Sequence, residues 1–163
     1  MTTTPPCTAP VRLATLDDLD ALVQLRGIML TSMGVDTGGP DAAWRTAAIA
    51  WLGRKLGDRA SCCAVVADVP GQGVVACAVG LREEHLPSPS SPSGGHSRLV
   101  NVATVAGHRR HGHARECVNA VLSWFAADTD VRVVNLNATP EGAGMYRALG
   151  FAPPRFEALQ RRD

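Results

Sequence analysis

The chain is short of several things. Its 163 residues include one lysine, Lys55, and one tyrosine, Tyr146. The formal net charge is only +1, so the overall field does not draw the protein to nucleic acid or to an anionic membrane, and any anion site must be local. No apolar run approaches the ~18 residues of a membrane-spanning helix. The opening MTTTPPCTAP lacks the charged and apolar regions of a signal peptide. Among five cysteines, Cys7, Cys62, Cys63, Cys77 and Cys117, there is no C-x-x-C pair. The number is odd, and Cys62 and Cys63, as strand neighbours, would face opposite ways. Reduced, buried thiols fit this better than a disulfide framework. These absences lead to the expectation of a cytoplasmic protein with neither nucleic acid nor membrane as partner. The near-absence of lysine beside many arginines and alanines suggests a GC-rich bacterial genome.

What is present is an ordinary globular balance, 45% hydrophobic and 19% charged residues. Residues 1–10 read as a Thr/Pro-rich flexible tail and 11–163 as one domain. VRLAT is a short strand. The next segment, TLDDLDALVQLRGIML, opens with Thr15 and Asp18 in a weak capping-box arrangement and repeats apolar residues at helical spacing. After a loop over 32–40, Asp41 is placed to cap a second helix that ends at Gly57. SCCAVVADV and GVVACAVGLR, joined by a PGQG turn, are nearly continuous in apolarity and should be covered on both faces. A Pro/Ser/Gly loop of residues 83–97 follows, then the strand RLVNVATVA. GHARECVNAVLSWFAAD is an amphipathic helix whose stripe holds Ala114, Cys117, Val118, Val121, Leu122 and Phe125. A strand VRVVNLNA, a short helix closed by Gly150 and one or two C-terminal edge segments complete the chain. The fold class is α/β: a mixed central sheet with helices on both faces.

The stretch HRRHGHARECV, His108 to Val118, joins a strand to the start of a helix at about Gly112. The first amides of a helix lack internal partners and carry the positive end of its dipole, so such a terminus binds phosphate. Gly112 has no side chain to block an anion, Ala114 is small, and Arg109 and Arg110 add charge. His108, His111 and His113 straddle the turn without a cysteine or acidic set beside them, so no metal is expected. Trp44, Trp51 and Trp124 read as packing residues on helices, and Cys117 as packing on the helix stripe.

NVATVAGHRRHGHA resembles the acetyl-CoA signature of the GNAT superfamily of N-acetyltransferases. That signature is a strand, then R/Q-x-x-G-x-G/A, then a helix, with Arg109, Gly112 and Ala114 at its fixed positions. LNATPEGAGMYRALGF is similar to the family's second signature at Asn137, Tyr146, Gly150 and Phe151. The resemblance covers roughly residues 11–155, and the Pro-rich loop before the fourth strand resembles a subgroup of uncharacterised bacterial members. The sequence departs from the family at Ala106, where proline is frequent, and at His113, where an aliphatic residue is frequent.

The resemblance implies a fold in which the fourth and fifth strands splay apart around acetyl-CoA, the acetyl donor. Backbone groups around Val102, Ala103, Thr104 and Val105 would pair with the pantetheine arm. Arg109, Arg110, His111, Gly112, His113 and Ala114 would hold the diphosphate, and Asn137 would contact the arm. Tyr146, protonated at neutral pH, would give a proton to the CoA sulfur. Glu83 and Glu84 are the candidate bases, directly or through water, because Asn101 stands where some members carry a carboxylate. The acceptor pocket would be built from residues 30–41 and 83–98, with the loop over 84–97 only partly ordered before ligand binds. The implied reaction is direct transfer of acetyl to a primary amine, that of a small molecule. The alternatives are a non-catalytic CoA-binding sensor or interaction module, and acetylation of a protein N-terminus or a charged tRNA; the net charge speaks against the tRNA. A homodimer is one state that the resemblance leaves open.

Overall fold

The fold grows outward from one hairpin. The computed structural model describes residues 10–163, so Cys7 and nearly all of the expected tail lie outside the described residues. Strands β2 (Cys62–Val69) and β3 (Gly73–Glu84) pair antiparallel and form the centre of a five-stranded sheet. Their apolar runs are buried on both faces, as their lack of alternation requires. Val65 faces one core cluster and Val66 the other.

Strand β1 (Val11–Leu13) joins the outer edge of β2. A 3-10 turn, Leu16–Asp18, leads into α1 (Leu19–Ser32), and the Thr15 amide donates to Asp18 Oδ2 at 2.7 Å. Arg12 fixes this corner by bonding both Asp18 and Asp68. Helix α2 (Ala43–Lys55) lies with α1 on one face of the sheet. Its N-cap is Ala42 without a side-chain cap, rather than Asp41.

Helix α3 (His113–Asp128) covers the opposite face through Cys117, Val118, Val121, Trp124 and Phe125. Gly80 makes this close approach possible: a Cβ there would collide with Val121 Cγ1 and lie 2.9 Å from Phe125 Cζ. Trp124 is buried, and its indole nitrogen donates to the Arg59 carbonyl at 3.2 Å.

Strand β4 (Gly95–Thr104) runs antiparallel to β3. The loop read over 83–97 is narrower in the structure, because β3 extends through Glu84 and β4 begins at Gly95. Serine hydroxyls and a Ser88–Ser91 bridge hold the remaining turn together. Strand β5 (Val134–Asn135) pairs parallel to β4 at two positions only, Ser97 with Val134 and Arg98 with Asn135. It is shorter than the eight residues read as VRVVNLNA because the two strands part beyond Arg98. Helix α4 (Ala143–Ala148) follows and ends in the left-handed Gly150, φ 92°. The expected C-terminal edge segments do not form: residues 151–163 hold no strand and are largely exposed. Pro153 and Pro154 remove two consecutive donors at the point where such a strand would start. No described helix is long and apolar enough to cross a membrane.

Candidate active site

The site is organised by an irregularity in β4. In the β3–β4 ladder Cys77 faces Ala103 and Val79 faces Val100, so Ala78 alone stands opposite both Asn101 and Val102. This is a bulge, one extra residue that turns the strand and leaves backbone groups outside the ladder. Asn101 sits in it with φ 52°, a conformation asparagine tolerates. Its carbonyl accepts from Cys77 Sγ at 3.0 Å. Its side-chain Nδ2 donates to the Leu22 carbonyl of α1 at 3.4 Å, and its Oδ1 is buried with no partner.

Beyond Arg98 no described residue pairs with β4 on the β5 side. A cavity of about 510 Å³ occupies that gap. Eight residues singled out from the sequence line it: Val102, Ala103, Thr104, Arg109, Arg110, Ala114, Asn137 and Tyr146. Val105, His111, Gly112 and His113 do not. The Val105 amide bonds the Val75 carbonyl at 2.8 Å and is thus spent inside the fold.

The turn into α3 has the form expected of an anion cradle. Arg110 (φ 62°) and Gly112 (φ 83°) are both left-handed, which makes the backbone concave. Gly112 is the N-cap, and no side chain caps α3, so its first amides have no partner among the described residues. Arg109 Nε reaches only the Thr104 carbonyl, at 3.4 Å, and neither arginine is ion-paired among the described residues. Unspent amides and two free guanidinium groups fit a diphosphate, and the unpaired edge of β4 fits an arm that carries amide groups. His113 takes the packing option: it is 5% exposed and its Nδ1 has no partner. Burial lowers its pKa, and His111 and His108, with ring centroids 5.9 and 6.1 Å away, lower it further.

Tyr146 projects from α4 to the same cavity. Burial alone pushes its phenol up to about 12. Phe151 packs on it edge to face, held in place by the Gly150 turn and a bond from the Phe151 amide to the Tyr146 carbonyl at 3.0 Å. Glu83 and Glu84 stand apart from this group. Neither lines the cavity; Glu83 is ion-paired with Arg98 (3.8 Å) and lies 3.5 Å from His85 Nε2, and Glu84 is exposed at the end of β3. Glu141, which the sequence reading passed over, is the only acidic side chain lining the gap among the described residues.

A second cavity, about 530 Å³, lies between α1, α2 and the sheet. It shares Arg26, Val100 and Asn101 with the first. The loops read as acceptor walls, 30–41 and 83–98, give it only Leu30; its walls are mainly the two helices, with Trp44 and Trp51 among them. Those tryptophans therefore do more than fill a core, unlike Trp124. Arg26 was legible in principle, as a lone charge on the buried face of α1 between Leu25 and Ile28.

The comparisons agree with this geometry. The model of the Acetyltransferase (GNAT) family matches residues 30–151. No curated protein matches the chain in sequence. A protein described as a predicted acetyltransferase from Clostridium acetobutylicum, solved with acetyl-CoA, superposes with a TM-score of 0.81 at 19% identity, over 94% of this chain and 95% of that one. A GCN5-related N-acetyltransferase from Ralstonia eutropha gives 0.79 at 24% identity, over 93% and 97%. Glucosamine-6-phosphate N-acetyltransferase from Arabidopsis thaliana gives 0.68 at 14% identity, over 96% and 99%. With a family match across most of its length and a bulged, splayed β4 beside an uncapped helix, the chain belongs to the GNAT family of acetyltransferases, acyltransferases that draw on acetyl-CoA.

Proposed function

We propose that the protein transfers acetyl from acetyl-CoA to the primary amine of a small molecule by direct attack, the donor lying in the β4–β5 gap and the acceptor in the second cavity. The observation that carries this reading is the shared wall: two cavities of similar size meet at Val100, Asn101 and Arg26, at the β4 bulge. A ternary complex needs two sites that touch at one point, and a pure CoA binder does not.

Within this reading the amides of residues 109–114, with Arg109 and Arg110, hold the diphosphate. The free edge of β4 at Val102–Thr104 pairs with the pantetheine arm, and Asn137 contacts it from the other side. Carbon–nitrogen bond formation and carbon–sulfur cleavage occur at the bulge; the nitrogen sheds one proton and the departing sulfur gains one. Tyr146 meets the sulfur there. A phenol at about 12 remains protonated and is a weaker acid than a thiol near ~8.5. Its part is to donate a hydrogen bond to the developing thiolate, and the sulfur's proton comes from the amine through water.

No acidic side chain lines the second cavity, so the amine enters neutral rather than being deprotonated by Glu83 or Glu84. Its apolar walls and the Arg26 cation both disfavour an ammonium ion. The sugar phosphate of the Arabidopsis neighbour does not suit such walls.

The first experiment follows the thermal midpoint with acetyl-CoA and with CoA, then thiol release over a panel of amines. A rise of several degrees at saturating ligand and amine-dependent thiol release bear the reading out. A rise without release for any amine leaves a CoA-binding module, and no rise removes the donor site.

A further inference from the structure

Resting on the acetyl-transfer reading above, we infer that the acceptor is an α-amino acid with an apolar side chain, bound in the second cavity with its carboxylate on Arg26 and its amine at the donor end beside Asn101.

The cavity sorts its chemistry to one end. Trp44, Trp51, Leu52, Leu81 and neighbouring apolar groups form its body. Its only charged or amide side chains are Arg26 and Asn101, and both also line the donor gap. The occupant is therefore an apolar group with its polar atoms gathered where acetyl arrives. At about 530 Å³ the space suits a small molecule.

Two residues at that end place those polar atoms. Asn101 is 5% exposed, and its Oδ1 has no donor. The Leu22 carbonyl takes its Nδ2 and holds the side chain beside α1. The oxygen is sealed from solvent, so Asn101 marks the donor end of the cavity by its position in the wall. An acceptor amine has to face that end, because acetyl arrives there. Arg26 is half-buried and has no ion pair among the described residues. A guanidinium without an ion partner at the end of an apolar cavity suits a carboxylate, which it binds bidentately. Arg26 lies one helical turn after Leu22, and side chains on a helix lean back toward its N-terminus. The guanidinium thus returns toward the residue that anchors Asn101. One carbon bearing both an amine and a carboxylate meets this pair; a polyamine would set a second ammonium against Arg26.

The test is a titration of the whole protein followed by tryptophan fluorescence, which Trp44 and Trp51 report, with thiol release from acetyl-CoA measured alongside. L-Phenylalanine, its amide, phenethylamine and L-glutamate are compared. The expected result is binding and acetylation of L-phenylalanine at least about tenfold more effective than of its amide or phenethylamine, the size of one charge-assisted pair. Glutamate should be weaker still. Arg26→Gln should bring the acid-to-amide ratio to within about twofold. Asn101→Gly, which keeps the left-handed backbone, should lower kcat more than it raises KM. Equal or better use of the amide overturns the assignment and points to peptide N-termini; preference for glutamate or an amino sugar overturns it outright. If acetyl-CoA still raises the thermal midpoint, either result leaves the donor site standing. If acetyl-CoA does not, the fluorescence titration alone decides the acceptor.

Discussion

The rings of Tyr146 and Phe151 meet edge to face, with centroids 5.8 Å apart and planes at 77°. This contact fixes the phenol at the donor gap without using its hydroxyl. Tyr146→Phe should therefore leave acetyl-CoA affinity within about twofold while lowering kcat roughly 10- to 100-fold, the range for losing one donor at a developing negative charge. Phe151→Ala should lower kcat by less and leave its pH dependence unchanged. Steady-state kinetics with a CoA thermal-shift control separates the two. With the phenol at about 12, kcat should show no loss from tyrosine ionisation between pH 7 and 10.

Gly112→Ala tests the anion cradle. An added Cβ meets no protein atom within 4 Å, so the penalty lies in the backbone, at φ 83°. Forcing an L-residue into that region costs about 1–2 kcal/mol. The expected outcome is weaker acetyl-CoA binding and a smaller ligand-induced rise in thermal midpoint. An unchanged affinity would place the diphosphate elsewhere.

Gly80→Ala should be damaging for a different reason. Its Cβ would collide with Val121 and Phe125 of α3. Overpacking of this kind costs about 1–3 kcal/mol and should lower the thermal midpoint by several degrees. Adding Val121→Ala should recover part of the loss, which a double-mutant cycle measures.

His113 makes stability depend on pH. Its folded pKa lies below 6.5, so the folded state binds fewer protons than the unfolded chain in the window beneath that value. Stability is then full above about 6.5 and falls as the pH drops through the folded pKa. In His113→Leu the difference in thermal midpoint between pH 7.5 and 5.5 should shrink. An equal difference in both proteins would assign the effect to other groups.

With no acidic group in the acceptor cavity, kcat/KM should rise with pH until the acceptor amine is neutral in solution. Acceptors with different amine pKa values should shift the profile accordingly. A profile that ignores the acceptor, with an inflection belonging to the enzyme, would instead reveal a protein base.

The proposed donor half of the site rests on residues that the sequence displays locally. Strand, R-x-x-G-x-A and helix are local in the chain, and Arg109, Gly112 and Ala114 need no distant contact to be read. Gly150 closed α4 as its conformational freedom suggested. The proposed acceptor half was not legible, because it joins Arg26 of α1, Trp44 and Trp51 of α2 and Asn101 of β4, which only tertiary packing brings together. Glu83 and Glu84 attracted a catalytic role as adjacent carboxylates, but β3 continues through them and ties Glu83 to His85 and Arg98. The expected C-terminal strand failed for want of donors at Pro153 and Pro154.

The extra residue in β4 also bears on how the protein changes over generations. It switches which face the strand's residues meet, so Leu99 packs in the core under α3 while Ala103, an even number of residues on, packs in the core under α1 and α2. Among the described residues α2 borders only the second chamber and α3 and α4 only the first, while α1 and Val100–Asn101 border both. Substitutions on the chamber face of α2 can therefore reshape one space and leave the β4–β5 gap as it is, whereas a change at Asn101 reaches both.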